Sequence, residues 1–309
     1  MVTSLNEGSG STTSATSCLL LVDGHAYAYR AFYAIRSLNA PDGSPTNAIY
    51  GFLKMLARMR ATVNPTHLAV IWDGGLSPER TAAHPDYKAQ RPPMPDGLAR
   101  QMDGIVEYLR AAGLASWCRD GVEADDWIGV AARRAADGGA RVVIASADKD
   151  FMQLVTAHVG LLNPGDKSER VWTEAEVIAK TGVRPEQIVD WLSLVGDSVD
   201  NIPGVPGVGA KTATGLLQQF GSLDGLYARL AEVKSDRVRD NLTAAHRAMV
   251  RNQELIRLRD DVGGEFRLAD TIPGVEDERR LAELFQSWGF RSLLSELEAR
   301  RQPEQGELL

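Results

Sequence analysis

Short apolar runs alternate with longer amphipathic segments through the first half of the chain. The runs at 19–22, 68–72 and 142–145 have the length and the apolar side chains of buried strands. Segments such as 48–59 and 98–112 space their apolar residues as helices do. Strands that alternate with helices are typical of a parallel sheet covered by helices, so the pattern predicts an α/β domain over residues 18–184.

The pattern changes near residue 185, where short helical segments are broken by glycine and proline. One further strand is predicted at 264–268, and the remainder of 185–300 is predicted to form a helical subdomain. Residues 1–17 are rich in Ser, Thr and Gly and are predicted to be a disordered tail. The polar residues 301–309 are predicted to fray.

Three aspartates follow directly on the predicted strands. Asp23 ends the run LLLVD, Asp73 ends LAVIWD, and Asp148 lies just beyond VVIASA. The carboxyl ends of parallel strands meet at one edge of a sheet, and ligands of open α/β sheets bind there. We therefore expect these three side chains to lie close together.

Other acids occur in groups with short, regular spacing. GVEADDWIG places two acids three residues apart at a predicted helix start, with another alongside, so that both lie on one helix face. SADKD places two acids on one side if the chain stays extended, and GDSVDN spaces two acids as one turn requires. These acids are Glu123, Asp125 and Asp126; Asp148 and Asp150; and Asp197 and Asp200.

For any one of these nine acids, capping a helix or starting a turn is the simpler explanation. Together they indicate more, because clustered carboxylates repel one another unless protons or cations neutralise them. Oxygen ligands suit Mg²⁺ or Mn²⁺, and two such ions about 4 Å apart can activate water and stabilise the leaving oxygen in phosphodiester hydrolysis. The nine acids therefore predict one metal site.

The segment NIPGVPGVGAKTATGLL has the glycines of a phosphate-binding turn. A nucleotide P-loop is excluded because Ala210 stands where that motif requires glycine before Lys211. A helix-hairpin-helix at 202–217, gripping a DNA backbone without reading its sequence, fits better, although a simple glycine-rich connection remains open. The predicted DNA contacts in this segment are Gly204, Gly207, Gly209, Lys211 and Thr212.

Basic residues and an aromatic are interleaved in ERTAAHPDYKAQRPPM, within the stretch 76–98. Arg80, Tyr87, Lys88 and Arg91 suit single-stranded DNA, whose phosphates bind basic groups and whose bases stack on aromatic rings. A charged, solvated loop is the alternative. Arg30 is a candidate phosphate ligand or a salt-bridge partner.

The net charge of −7 is unusual for a protein that binds DNA. Setting the nine acids aside reduces 41 acidic residues to 32, against 34 basic ones, so net charge does not decide whether the protein binds DNA.

Only Cys18 and Cys118 are present, and the five histidines lack zinc-ligand spacing and are interpreted as surface or packing residues. The apolar run 18–22 is too short to span a bilayer, and we expect a cytoplasmic protein.

Five motifs in order, LLLVDGHAYAYRAFYA, YKAQRPPMP, GVEADDWIG, SADKDFMQL and GDSVDNIPGVPGVGAKTA, resemble the 5' to 3' exonuclease domain of bacterial DNA polymerase I and its flap-endonuclease relatives. The resemblance covers residues 18–300. It implies a PIN-like (Rossmann-like), mostly parallel sheet with a helical DNA-binding subdomain of the helix-hairpin-helix (H3TH) type. It also implies two Mg²⁺ or Mn²⁺ ions, and a K⁺ ion at the hairpin 204–209.

The same resemblance implies roles for individual residues. The nine acids match the metal site, while Tyr87, Lys88 and Arg91 match the arch through which a 5' single strand passes. Lys88 and Arg30, which matches a residue near the scissile phosphate, are the predicted catalytic groups besides the metals. The sequence departs from the relatives at Gly75, where they often carry lysine, and at Glu79, where they often carry phenylalanine.

The predicted activity is cleavage of DNA with 5' flaps, nicks or 5' ends during replication and repair, by a monomeric stand-alone nuclease linked functionally to a DNA polymerase and a ligase. A DNA-structure-binding protein without catalysis is a second hypothesis, but it predicts missing acids and all nine are present. A PIN-type ribonuclease is a third, and it would not need the helix-hairpin-helix.

Overall fold

The computed structural model describes residues 17–164, 170–262 and 264–301, with only the backbone of the last residue. The predicted tail, apart from Ser17, lies outside the described residues, as does the predicted frayed end from 302 onward.

A six-stranded sheet forms the centre of the α/β domain, in the order β3-β2-β1-β4-β5-β6. The first five strands in this order are parallel, and β6 is antiparallel to β5. This confirms the predicted mostly parallel sheet. The strands are β1 (Cys18–Asp23), β2 (His67–Trp72), β3 (Ala115–Cys118), β4 (Arg141–Ala145), β5 (Val159–Leu162) and β6 (Val171–Trp172).

Helices cover both faces of the sheet and form the following subdomain. A short hairpin of β7 (Gly196–Asp197) and β8 (Ile202–Pro203) interrupts the helices of that subdomain. The α-helices of the described residues are α1 (Gly24–Ala34), α2 (Asn47–Val63), α3 (Pro78–Ala83), α4 (Asp96–Ala111), α5 (Ala124–Asp137), α6 (Glu174–Thr181), α7 (Ile188–Val195), α8 (Ala210–Phe220), α9 (Leu223–Ala228), α10 (Asp236–Ile256), α11 (Glu278–Trp288) and α12 (Arg291–Arg301).

Strand β1 shows how the apolar pattern builds two cores. Leu19 and Leu21 point to the face covered by α5 and the helical subdomain, whereas Leu20 and Val22 point to the face covered by α1, α2 and α4. All four are fully buried, and each such side chain contributes about 1.5–3 kcal/mol of hydrophobic stabilisation. The central strands therefore fix the carboxyl edge of the sheet firmly.

The helical subdomain packs on the α5 face, so it shares a core with the sheet. Leu192 of α7, Leu217 of α8 and Leu242 of α10 lie in the same apolar cluster as Ile128 of α5. This continuity explains how a surface on the helices can hold a fixed position relative to the sheet edge.

The C-terminal part packs on both domains. Leu284 of α11 and Leu297 of α12 pack into the opposite core, beside α4, and the bounds 185–300 of the helical subdomain remain a prediction. The stretch 264–268, predicted as a strand, is not a strand among its described residues; Phe266 packs edge-on against Trp117, and a 3-10 helix begins at Leu268.

Within the described ranges, no helix combines the length and the apolar character needed to cross a bilayer.

Candidate active site

Acidic side chains from separate parts of the chain line one cavity at the carboxyl edge of the sheet. The cavity has a volume of 640 Å³. Six of the nine predicted acids line it: Asp23, Asp73, Asp125, Asp148, Asp197 and Asp200. The structure thus brings together side chains that are remote in sequence, as the positions of the strand ends predict.

Two of the acids that follow strands accept a backbone N–H at the start of a helix. Asp23 accepts a hydrogen bond from the Ala26 N–H (3.0 Å) and is the N-cap of α1, the next element. Asp73 accepts from the Ala124 N–H (2.8 Å) at the start of α5, which lies 51 residues further along the chain. Of the two, the simple capping explanation is therefore correct for Asp23 alone, and both acids stay in the cavity wall.

The turn after β4 differs from the predicted extended chain. Asp148 caps a 3-10 helix, Lys149–Leu154, by accepting the Asp150 N–H (2.9 Å). The two acids therefore adjoin through a tight turn. Asp197 and Asp200 lie in the turn between β7 and β8, as their spacing predicts, and both are buried.

Asp150 carries the strongest sign that a cation belongs in the site. Its Oδ1 is buried and has no hydrogen-bond partner among the described residues. Burial, followed by the nearby Asp148 and Asp200, raises the pKa of Asp150 well above its usual value. A buried, unpaired carboxylate oxygen among other carboxylates is a donor set that fits a hard divalent ion.

Among the residues that the structure describes, no three His, Cys, Asp or Glu side chains already converge as a metal-ligand set. Basic side chains form ion pairs with some of the carboxylates. Lys149 Nζ lies 3.1 Å from Asp197, and Arg91 Nη2 lies 2.6 Å from Asp200. Six of the predicted ligands thus line one cavity, and Asp197 and Asp200 pair with basic side chains of the same chain.

Lys88 is the most deeply placed of these cations. Its Nζ pairs with Glu123 and lies 3.7 Å from Asp125 and 3.9 Å from Asp200. Its backbone takes a left-handed conformation (φ 54°), and its N–H donates to the Asp200 carbonyl at 3.1 Å. Burial alone would lower the pKa of Lys88, but Asp125, Tyr87 and Glu123 raise it above its usual value, so the side chain is charged.

Asp126 does not line the cavity, and its role as a metal ligand remains a prediction. Its two oxygens each accept a 2.7 Å hydrogen bond from the Arg80 guanidinium, and both side chains are buried. Arg80 is consequently enclosed in this structure, and its contact with DNA remains a prediction. The bidentate pairing places the two opposite charges against each other.

Tyr87 is also enclosed rather than available for stacking on a base. Its side chain is 2% exposed, and its hydroxyl donates to Glu123 Oε2 at 3.1 Å. Lys88 Nζ lies 4.9 Å from the centre of its ring, a cation–π contact. In this structure Tyr87 packs beneath the site, and its contact with DNA remains a prediction.

Arg30 is exposed on α1 and does not line the cavity. Its Nη2 donates to the Pro164 carbonyl at 2.5 Å. A role for Arg30 near a scissile phosphate remains a prediction.

Four cavity residues with polar side chains were not singled out as site residues by the sequence: His25, Tyr29, Ser146 and Lys149. Ser146 donates to Asp23 Oδ2 at 2.8 Å, and His25 Nδ1 accepts the Asp73 N–H at 3.1 Å, so both orient predicted ligands. Burial lowers the pKa of His25, while Asp73 acts in the opposite direction. The available signal was position, since His25 is two residues after β1 and Ser146 directly follows β4.

The three glycines of the hairpin segment have different physical roles. A Cβ on Gly204 would lie 2.3 Å from the Val195 carbonyl oxygen, so this glycine serves backbone packing, and Gly207 adopts φ 78°. Gly209 has ordinary dihedral angles, and a Cβ added there would meet nothing within 4 Å. The fold does not require glycine at 209, which leaves close approach of a ligand to the start of α8 as a reason for it.

The raised carboxyl pKa values predict an unusual pH dependence of stability. Burial raises the pKa of Asp23 to about 7 and of Asp148 to about 6, above the values of an unfolded chain. The folded protein then binds more protons than the unfolded one, so stability is lost as pH rises through 6 to 7. In EDTA we expect the free energy of unfolding to fall by roughly 2 kcal/mol between about pH 5.5 and pH 8, with His25 opposing weakly.

Denaturant unfolding at the two pH values measures this difference. Asp148→Asn should reduce the dependence, because it removes one of the titrating groups. A metal-free protein that is more stable at the higher pH would contradict the prediction.

Comparison with known proteins places this architecture in a known family. Residues 18–182 match the 5'-3' exonuclease, N-terminal resolvase-like domain, and 183–279 match the 5'-3' exonuclease, C-terminal SAM fold. The chain is 37% identical over 280 residues to a 5'-3' exonuclease of Aquifex aeolicus, covering 91% of this chain and 95% of that protein. It is 37% identical over 292 residues to a DNA polymerase I of Bacillus caldotenax, covering 94% of this chain but 33% of the polymerase.

Solved structures share the fold at lower identity. A T5 5'-exonuclease with bound zinc has a TM-score of 0.64 at 20% identity, with 92% of this chain and 97% of that one covered. The catalytic core of Rad2 in complex with DNA substrate has a TM-score of 0.62 at 14% identity, with 92% of each chain covered. These likenesses support the arrangement of a mostly parallel sheet with a helical subdomain.

Proposed function

The chain belongs to the 5'-3' exonuclease family, and from this premise we propose that it is a metal-dependent, structure-specific 5'-nuclease that hydrolyses phosphodiester bonds of branched or nicked DNA. The observation that carries the proposal is the cavity itself: six carboxylates from separate strand ends and turns, with Lys88 and Arg91 at the same wall. A hydrolase acting on a phosphodiester needs such groups to hold cations and to neutralise developing negative charge.

The acids fit two Mg²⁺ or Mn²⁺ ions, which is the finer part of the proposal. The cavity acids, together with Asp150, would hold them, whereas Glu123 and Asp126 are left out because donors occupy both oxygens of each. When bound, the ions would activate water and stabilise the leaving oxygen. The K⁺ ion at the hairpin is supported by the resemblance alone.

The chain's own cations have a separate task in this proposal. Arg91 has a side chain that is 41% exposed, so it can reach a phosphate that enters the cavity. Lys88 lies deeper, beside Glu123 and Asp125, where its ammonium would offset charge that builds up on a phosphoryl group. Both side chains exchange an acidic partner for a phosphate as the substrate enters.

Duplex DNA would dock on the helical subdomain. The start of α8 is exposed and offers the backbone N–H groups of its first turn together with the side chains of Lys211 and Thr212. Gly209 leaves room for a phosphate at that helix end. Such contacts fix the position of the duplex without reading its sequence.

Relatives and structural neighbours support the class of partner. Several relatives are named DNA polymerase I, of which this chain spans about a third, and a T5 flap endonuclease was solved with DNA and metal ions. We propose DNA with 5' flaps, nicks or 5' ends as the substrate, acted on by a monomer in replication and repair. A polymerase would create the flap, and a ligase would seal the nick.

The test is a cleavage assay with matched DNA and RNA 5'-flap substrates in Mg²⁺, with and without EDTA. We expect the DNA flap to be cut near its junction, leaving a 5'-phosphate and a 3'-hydroxyl, and EDTA to abolish the reaction. Cleavage of the RNA flap alone would favour a ribonuclease. Tight DNA binding without any cleavage would favour a non-catalytic binding protein.

A further inference from the structure

A buried ion pair lies directly behind the metal-site acids. Arg80 of α3 and Asp126 of α5 form two parallel 2.7 Å hydrogen bonds, and their side chains are 5% and 1% exposed. Asp126 also accepts the Arg259 N–H at 2.9 Å. Each of its oxygens therefore already accepts at least one hydrogen bond, so neither is free for a metal ion in this structure.

The same pair joins the nuclease core to the end of the helical subdomain. Arg80 Nη2 donates to the Arg257 carbonyl at 3.2 Å, directly after α10 ends. Arg133, on the same helix as Asp126, donates to the carbonyls of Leu258 (2.9 Å) and Arg259 (2.6 Å). The segment 257–259 is thus fixed against α5, whose first turn carries Asp125 in the cavity wall.

The third connection runs from Arg80 to Glu123. Arg80 Nη1 lies 3.3 Å from Glu123 Oε2, the same oxygen that pairs with Lys88. Glu123 Oε1 in turn accepts the Ser77 N–H at 2.9 Å. A single guanidinium, carried by α3, therefore contacts the start of α5 and the segment after α10.

We propose that Arg80 and Asp126 are positioning residues that act as one unit. They fix the position of the acids at the start of α5 and connect α5 to the segment 257–259, which follows α10 of the DNA-binding subdomain. Neither touches metal or DNA. The inference rests on the proposed function, since turnover is one of its readouts. Its physical basis is that displacement of reacting groups by about 1 Å can cost 10²-fold in rate.

The first experiment separates a positioning residue from a ligand without using catalysis. Mn²⁺ binding is measured by calorimetry, in the absence of DNA, for Asp126→Asn and for the matched variant Asp125→Asn, which changes an acid that lines the cavity. We expect the loss of affinity to be at least about tenfold smaller for Asp126→Asn. Equal losses in the two variants would make Asp126 a ligand and overturn the proposal.

The second experiment measures kcat and KM on flap DNA at saturating Mn²⁺. Arg80→Met and Asp126→Asn should each lower kcat by roughly 10- to 100-fold with KM for DNA little changed. A raised KM with kcat retained in Arg80→Met would instead make Arg80 a DNA contact. Arg280→Met, which breaks an ion pair with Glu107 between α11 and α4, is the control and should retain kcat.

A double variant separates positioning from plain structural support. Arg80→Met with Asp126→Leu removes both buried charges and should recover the melting temperature lost in the single variants. We expect kcat to stay as low as in the worse single variant, because the hydrogen bonds to 257–259 and Glu123 are not restored. Recovery of both the melting temperature and kcat in the double variant would overturn the proposal. A wild-type chain that cuts no flap would contradict the proposed function instead, and the calorimetric comparison of Mn²⁺ binding would still test the proposal.

Discussion

Replacing Asp148 and Asp150 together with asparagine is expected to lower flap cleavage by more than about 10³-fold. Asp148 lines the cavity and Asp150 carries the buried oxygen without a partner, so the change removes two charges where the proposed metals bind. Binding of flap DNA should be equal or tighter, because two negative charges near the phosphates disappear. Single-turnover cleavage in Mg²⁺ and anisotropy with labelled flap DNA measure the two effects.

The same double variant should make the metal-free protein more stable. Burial disfavours the charged forms of both carboxyls, and that penalty is absent from asparagine. Asp103→Asn with Asp137→Asn, which changes two exposed acids on α4 and α5, is the matched control. Cleavage at the parental rate by Asp148→Asn/Asp150→Asn would contradict the metal-site proposal. A loss of activity in the Asp103→Asn/Asp137→Asn control as large as that in the double variant would contradict it too.

Replacing Lys88 with methionine is expected to lower kcat by about 10²-fold or more while it tightens Mn²⁺ binding by about tenfold. The two effects oppose each other for one reason. In the metal-free protein the ammonium pairs with Glu123 and lies near Asp125 and Asp200, so it competes with an incoming cation for the same acids. In the reaction, that positive charge offsets charge on the phosphoryl group.

Calorimetric titration with Mn²⁺ and single-turnover kinetics test both halves of this expectation. Lys149→Met is the matched control, because Lys149 pairs with Asp197 in the same cavity wall but is 38% exposed. Its effects should be smaller, since water screens an exposed charge. Weaker Mn²⁺ binding by Lys88→Met would show that the lysine supports the metal site rather than competing for it.

The glutamate at 79 and the glycine at 75 mark the departures of this sequence from its relatives. In the structure Glu79 has a partner, Arg259 Nη1 at 2.7 Å, on the segment that Asp126 also holds. An acid at this position therefore adds a surface contact between α3 and the end of the helical subdomain. Gly75 has a positive φ of 120°, which explains a glycine there without reference to DNA.

The three central strands and the meeting of the strand-end acids follow from local patterns in the sequence. Apolar runs such as 68–72 form strands because they bury both faces, and a parallel sheet brings all of their carboxyl ends to one edge. Asp23, Asp73 and Asp148 could be placed for that reason alone. The pairing of Asp197 with Asp200 follows likewise from their spacing in a tight turn.

The direction in which charged side chains point was decided only by the tertiary structure. In the sequence, Arg80 and Tyr87 belong to a basic, proline-containing stretch that is typical of a solvated loop, whereas in the fold both are buried against α5. Their partners are remote: Asp126 lies 46 residues beyond Arg80, and Arg257 lies 177 residues beyond it. Burying a charge is favourable only when such a partner is in place, and periodicity along a chain carries no information about partners that arrive from other elements.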